Sequence, residues 1–442
     1  MSGRRLLILL VVLAAIAIPA GVLQAVCAGR SCDQTSDQSP RVPFCPLPAA
    51  IREGITNGYR EGRSPDVLGV AADVPVFRAT VGFGQNAPWP SVHAGGTARV
   101  PMIFWGPGIA AGSSVPDGTT LDRIAPTVSQ AIGLDRPFPS VRSGTAIDGV
   151  AGGDRPRLVL LVAWTQVGSS DLEASPGDWP FLASLLERGA GTLEAQPGSV
   201  PLDPAAVLTT IGTGGLPSQH GITGSFVRND DGEVVAAFGD GAPVPVIASL
   251  ADDVDEQSGG GALVGLVAAD AAERGMVGGG WYPDEDPVDV AIADGATVPR
   301  SVESRLAAGY GADDVVDVLG VVMDGPIHSL DARTRRIVAA AEQATGGSVL
   351  VVVAGTGGLE RGPLQLPDSR LVEAVEDAVP GDAPAVAATV PGGIFLDRTA
   401  LIDAEVTGQV AVEAMLGVTE PDGGQMMTDA FQGFAVSFAR YC

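Results

Sequence analysis

The sequence predicts a three-layer α/β fold built on a mostly parallel sheet, and three observations carry that prediction. Short runs of Val, Leu and Ile recur without polar alternation, as strands covered on both faces require. Amphipathic stretches fall between them, the alternation expected of strands joined by covering helices. Hydrophobic residues make up 45% of the 442, ample for a large aliphatic core.

The strand runs, in chain order, are "DVLGVA" (66–71), "VPMIFWG" (100–106), "RLVLLVAW" (157–164), "ALVGLVA" (262–268), "VVDVLGVVM" (315–323), "SVLVVVAG" (348–355) and "AVAATV" (385–390). Helices are expected at "DWPFLASLLERGA", with Asp178 as N-cap and Pro180 in the first turn, at "SLDARTRRIVAAAEQATGG", stopped by Gly346 and Gly347, and at "DSRLVEAVEDAV". Ligands of such sheets bind at the carboxyl ends of the strands. At ~150 residues per domain the length suggests about three domains, but the pattern reads as one large domain, 46–442, with "GDRPR" (153–157) marking a seam between 46–150 and 156–442.

The N-terminus sets the compartment. Arg4 and Arg5 precede an apolar run from Leu6 to Val26, and a span of ~20 apolar residues crosses a bilayer. Segment 1–28 is therefore a membrane anchor or a signal segment, with "VCA" (26–28) as the cleavage alternative, and 29–45 is a polar linker. The expected location is the cell membrane, single-pass with the main domain extracytoplasmic, or secretion if the segment is cleaved. A net charge of −26, with all 26 basic residues arginine, argues against nucleic-acid binding. Cys27, Cys32, Cys45 and Cys442 suggest disulfides in an exported chain, with three connectivities open.

Four stretches resemble the alkaline phosphatase superfamily, especially its nucleotide pyrophosphatase/phosphodiesterase-like branch. They are "AAVLTTIGTGGLPSQHGITG" (205–224), "RSPDVLGVA" (63–71), "HAGGTARVPMIFWGPGIAAG" (93–112) and "TLDRIAPTVSQAIGL" (120–134). Against that resemblance the order is rotated: 46–150 matches the usual C-terminal third and 156–442 the usual N-terminal part, which implies a circular permutation. The permutation in turn implies that Cys45 pairs with Cys442 across the old junction, leaving Cys27 with Cys32; pairing of Cys32 with Cys45 is the alternative.

The superfamily holds two zinc ions on Asp and His ligands beside a Ser or Thr nucleophile, and the metals neutralise a phosphoryl group and activate the nucleophile. Carried over position by position, one site is empty. Strand 157–164 ends in Ala163, Trp164 and Thr165 instead of a metal-binding Asp, and the nucleophile position in "SVPLDPAA" is Pro204, with Asp203 one residue away. Thr356 and Gly357 stand in place of Asp-His. The other site keeps Asp324 and His328 in "MDGPIH", and His93 sits where the remaining histidine would come from. These three are the candidate ligands for one zinc, and no catalytic residue is assigned.

The plainer reading makes Asp324 a helix cap and the histidines loop residues, with His220 a structural turn residue. The "GTGG" stretches at 212–215 and 355–358 are weak candidates for cradling an anion on backbone amides, and the acidic "NDDGE" (229–233) and "YPDEDPVD" (282–289) read as solvated turns. The expected function is an exported, membrane-tethered pseudoenzyme binding a cell-envelope ligand or protein. The alternative is a single-metal hydrolase of phosphate monoesters or diesters. A purely structural envelope subunit, marked by an exposed apolar patch, is a third class.

Overall fold

The computed structural model describes residues 42–72, 76–78, 89–91, 98–282, 287–357, 365–420 and 423–442. The apolar run Leu6–Val26, Cys27, Cys32 and His93 lie outside them. Among the described residues no helix is long and apolar enough to cross a membrane. Residues 43–442 form one compact unit, with no break at 153–157.

Eleven strands build its two larger sheets: β1 (Val67–Ala71), β2 (Val100–Trp105), β3 (Leu158–Trp164), β4 (Ala190–Ala195), β5 (Val264–Ala268), β6 (Asp289–Ile292), β7 (Asp317–Met323), β8 (Val349–Gly355), β9 (Val386–Val390), β10 (Gly393–Leu396) and β11 (Met427–Gln432). The central sheet has the order β4-β2-β8-β3-β7-β5-β6. Its strands run parallel except β2, which is antiparallel to both neighbours. The second sheet, β9-β10-β1-β11, is antiparallel. All seven strand runs read from the sequence are therefore strands.

The placement of β1 and β2 is the main topological finding. Both come from the early segment, yet β2 lies between β4 and β8 and β1 between β10 and β11, all later strands. Segment 46–150 thus completes both sheets begun by the rest of the chain. A sheet lacking an interior strand leaves two edges of unpaired backbone groups, so neither segment forms these sheets alone.

Helices cover both faces of the central sheet. Alternate side chains, with period two along each strand, feed two cores. One face carries Val159, Leu161, Ala163, Val318, Leu350 and Val352, packed with α2 (Ile124–Ala131), α4 (Pro204–Thr213) and α5 (Leu250–Ser258). The other carries Leu158, Leu160, Val162, Leu319, Val349 and Val351, packed with α3 (Pro180–Arg188), α6 (Val298–Ala307) and α7 (Ile327–Thr345). Each such side chain, fully buried, stabilises by roughly 1.5–3 kcal/mol over its exposed state. Near the chain ends, α1 (Ala49–Gly58) packs on Val436 through Ile51 and Ile55.

One expected cap is corrected. The N-cap of α3 is Trp179, not Asp178, and Trp179 supplies no side-chain cap. The carboxylate of Asp331 on α7 accepts from the amides of Phe181 and Leu182 at 3.1 and 2.8 Å instead. Pro180 at the first position leaves fewer amides to satisfy, and the distant carboxylate ties α3 to α7. The stop at Gly346 is as read: it closes α7 in the left-handed region, with φ 63°.

The early segment is fastened to the later one by a buried charge cluster. The Arg136 guanidinium donates to Asp253 Oδ2 at 2.7 Å and to the Thr213 and Ala248 carbonyls, each at 2.9 Å. Arg142 donates to the same carboxylate oxygen at 3.3 Å and to the Thr213 carbonyl at 3.1 Å. The Tyr282 hydroxyl reaches the other Asp253 oxygen at 2.7 Å. Asp253 is fully enclosed. Burial lowers the pKa of Arg136, and burial together with Arg136 itself brings that of Arg142 down to about 10. Both remain cations at neutral pH, held there by the carboxylate.

Candidate site at the carboxyl edge of the central sheet

Parallel α/β sheets present their ligand sites at the carboxyl edge. Here that edge comprises the residues leaving β3, β7, β8 and β4, and the chain entering β2. Where β3 ends, Thr165 is buried and its backbone amide donates to the Met323 carbonyl of β7 at 2.9 Å. The Thr165 hydroxyl donates to the same carbonyl at 3.3 Å. Where β8 ends, Thr356 is 2% exposed, its amide donates to the Trp164 carbonyl at 3.1 Å, and its hydroxyl accepts from the Gln166 amide at 3.0 Å. The strand ends are thus linked by hydrogen bonds to the neutral hydroxyls of Thr165 and Thr356. Neither position offers an anionic oxygen to a cation.

The loop entering α4 is closed in the same way. Asp203, with no exposure, is the N-cap and accepts from the Ala205 amide at 2.9 Å. Both of its oxygens also accept from the Ser225 hydroxyl at 2.9 Å, and Oδ2 from the Ser225 amide at 2.8 Å. Burial raises its pKa, while these hydrogen bonds pull the other way. Its oxygens are committed to capping, so Asp203 stands as a structural anchor for α4, and Pro204 beside it fills the first helical position. The stretch 212–215 is corrected as an anion cradle: Thr213 is 1% exposed, and its carbonyl, directed out of the helix end, accepts from Arg136 and Arg142. Thr356 and Gly357 in the second such stretch are described; Gly358 lies outside the described residues.

His220 is where the plainer reading puts it. The ring is fully buried. Nδ1 accepts from the Ile222 amide at 3.2 Å, so Nε2 carries the hydrogen and faces Thr210 Oγ1 at 3.1 Å. Burial, with Arg60 nearby, pushes its pKa down to about 3. An unfolded chain titrates this imidazole near 6.5, so it takes up a proton that the native state refuses. Stability is therefore expected to fall as pH drops below about 6.5, by up to ~1.4 kcal/mol per pH unit. His220→Gln removes that contribution: between pH 6.5 and 4.5 the variant should lose about 2 kcal/mol less than the parent. Equal losses in thermal melts of both proteins contradict the assignment.

The proposed ligands Asp324 and His328 lie at the edge of β7, both exposed. Asp324 is not the cap of α7. That helix starts at Ile327 with Pro326 as N-cap and no side-chain cap, while the Asp324 carbonyl accepts from Arg333 at 2.5 Å. His328 sits in the first turn. His93, the third of these candidate ligands, lies outside the described residues. Among the described residues no group of three or more His, Cys, Asp or Glu is arranged to hold a metal ion.

Two features of this edge were missed from sequence. Glu273, 6% exposed, follows β5 and accepts from the amides of Ala269 and Asp270 at 2.9 and 3.3 Å. Its carboxyl is pushed up to about 7, chiefly by burial; the two amides oppose this, and Asp270 and Asp324 add to it. The signal was present as Asp270-x-x-Glu273, the spacing of a capping box.

The second feature is a cavity of about 150 Å³ between α1 and the chain leaving β4, lined by Glu53, Asn57, Thr120, Gln196 and Ser199 among others. Asn57 donates to the Gly198 carbonyl at 2.9 Å and fixes one wall. Ser199 is 4% exposed, and its hydroxyl has no hydrogen-bond partner among the described residues. The close approach of α1 needs glycine at 58, where a Cβ would stand 2.0 Å from the Val200 carbonyl oxygen. Among the described residues no arginine lines the cavity.

The junction of the chain ends is also defined. Cys45 and Cys442 form a disulfide with Cα atoms 5.1 Å apart, as the resemblance implied. The Cys27–Cys32 pairing falls outside the described residues. No protein-family model matches the chain, and neither does any curated protein. Among solved structures, it is similar to wild-type alkaline phosphatase PafA at 14% identity, covering 64% of this chain and 85% of that one, with a TM-score of 0.45. It is also similar to phosphonoacetate hydrolase from Sinorhizobium meliloti 1021 in complex with phosphonoacetate, at 18% identity, covering 48% and 58%, with a TM-score of 0.31.

Proposed function

We propose that this chain is a circularly permuted, alkaline-phosphatase-like protein that has given up two-metal catalysis and serves as a membrane-tethered binding protein of the cell envelope. The observation that carries the reading is the carboxyl edge itself. Thr165 and Thr356 stand where the resemblance expects metal-binding groups, and their neutral hydroxyls hydrogen-bond to the Met323 carbonyl and the Gln166 amide. Asp203, beside the expected nucleophile position, is consumed as a helix cap. A second zinc site does not fit these residues, so no hydrolytic step is derived through it.

The permutation is supported by the meeting of Cys45 and Cys442 and by the insertion of β1 and β2 between later strands. The cavity beside β4 supplies the ligand chemistry. Among the described residues its lining of hydroxyls, amides and one carboxylate suits a neutral, hydroxyl-rich ligand.

The test is turnover. The full chain, purified with zinc present, is expected to hydrolyse bis(p-nitrophenyl) phosphate no faster than buffer does. Zinc-dependent turnover that disappears in both His93→Ala and His328→Ala would instead establish the single-metal hydrolase.

A further inference from the structure

The last turn-rich stretch of the chain, Gly433–Tyr441, is a 3₁₀ helix with two unlike sides. Val436, 3% exposed, enters the core with Ala435 and Ala439 against it. On the other side Phe434, Phe438 and Tyr441 stand 56%, 56% and 70% exposed. Their rings form a ladder, Phe434 to Phe438 at 6.5 Å and Phe438 to Tyr441 at 6.3 Å, and the Arg440 guanidinium lies over the Tyr441 ring at 4.8 Å. Three contiguous exposed aromatic rings on one short helix mark a surface that something covers.

Chain connectivity and charge both say what covers it. Cys442 is bonded to Cys45, so the ladder ends where the chain arrives from residues 1–41. The apolar run ends at Val26, and the 19 residues from there to Cys45 reach at most ~65 Å. The chain carries 52 acidic residues, yet none falls in 41–52 or in 430–442, while Arg41, Arg52 and Arg440 do. Aromatic rings with arginine are the side chains that settle at a lipid headgroup boundary. An acidic body is repelled by anionic headgroups, which favours turning these two acid-free stretches toward them.

We propose that the Phe434–Phe438–Tyr441 face, with Arg440, docks on the anionic lipid surface of the membrane that the N-terminal segment enters. This rests on the reading of Leu6–Val26 as a retained anchor. Docking fixes the orientation of the domain above the bilayer.

The experiment is hydrogen exchange on the full chain, placed in nanodiscs of phosphatidylcholine with phosphatidylglycerol and, separately, in a neutral detergent. Amides of 433–441 are expected to exchange at least ten-fold more slowly in the discs. The triple variant Phe434→Ser, Phe438→Ser, Tyr441→Ser should show less than two-fold difference between the two environments, with unchanged exchange in the central sheet. A chain that does not enter discs at all overturns the anchor reading and the proposal with it. A chain that enters discs but exchanges alike in both environments overturns the docking alone. Protection that appears in detergent and grows with protein concentration overturns it in favour of a second copy as the occupant.

Discussion

Asp253→Ala is expected to destabilise the domain by about 3–5 kcal/mol, because it leaves two buried guanidiniums without their counter-charge. Arg136 and Arg142 both donate to this carboxylate, and neither side chain is more than 6% exposed. Water therefore cannot replace the lost acceptor. With an unfolding entropy of ~2.1 cal/mol/K per residue, the loss lowers Tm by about 4–6 °C in a domain of this size. Calorimetry checks it, and a shift under 1 °C contradicts the account. The effect should be large because the cluster joins the 136–142 segment to the C-terminus of α4 and to α5. Those parts of the chain lie on either side of residues 153–157, so the cluster fastens the early segment to the later one.

The second large effect is expected on removing the Cys45–Cys442 disulfide. The two cysteines are 397 residues apart, so the bond closes almost the whole domain into a loop. A cross-link of this kind acts mainly by restricting the unfolded chain, and the double variant Cys45→Ser, Cys442→Ser should lose about 2–5 kcal/mol. The measurement is the thermal midpoint with and without reductant. The parent should fall to the variant's value on reduction, and the variant should not respond. A parent midpoint unmoved by full reduction contradicts this. The junction has further support that survives reduction: Phe44 stacks edge-on against Phe431 with centroids 5.3 Å apart, and its amide donates to Asp429 Oδ2 at 2.7 Å.

Much of the fold was legible because its strands are buried on both faces. Runs such as "LVLLVAW" and "VLVVVAG" have no polar period, and that signal survives without context. The strands that escaped notice carry a different pattern. β4, "AGTLEA", alternates buried and half-exposed residues at the sheet edge, and β6, "DVAI", lies at the other edge. β10 and β11 belong to the second sheet, where "GIFL" is too short and "MTDAFQ" too polar to stand out. The direction of β2 was not legible either, since "VPMIFW" reads alike in both senses and only its two neighbours decide it.

The site was half legible. The sequence places neutral threonines, Thr165 and Thr356, at two strand ends, and the structure adds that they hydrogen-bond to Met323 and Gln166. The cap of α3 by Asp331 could not be read from sequence, because the donor amides and the acceptor lie about 150 residues apart. Glu273 hid inside an ordinary capping spacing, since its burial depends on the packing of α4 and β5 around that turn. The Cys45–Cys442 bond was reachable only through the rotated order of the motifs; four cysteines alone left three pairings open.

The most direct measurement on the central claim is zinc-edge anomalous diffraction from crystals of the protein grown with excess zinc. The account predicts no anomalous peak at the carboxyl ends of β3 and β8, where Thr165, Asp203 and Thr356 are bonded to the protein itself. A peak within about 2.0–2.2 Å of side-chain oxygens or nitrogens there would show an intact metal site and contradict the reading of this chain as a domain that has lost two-metal catalysis.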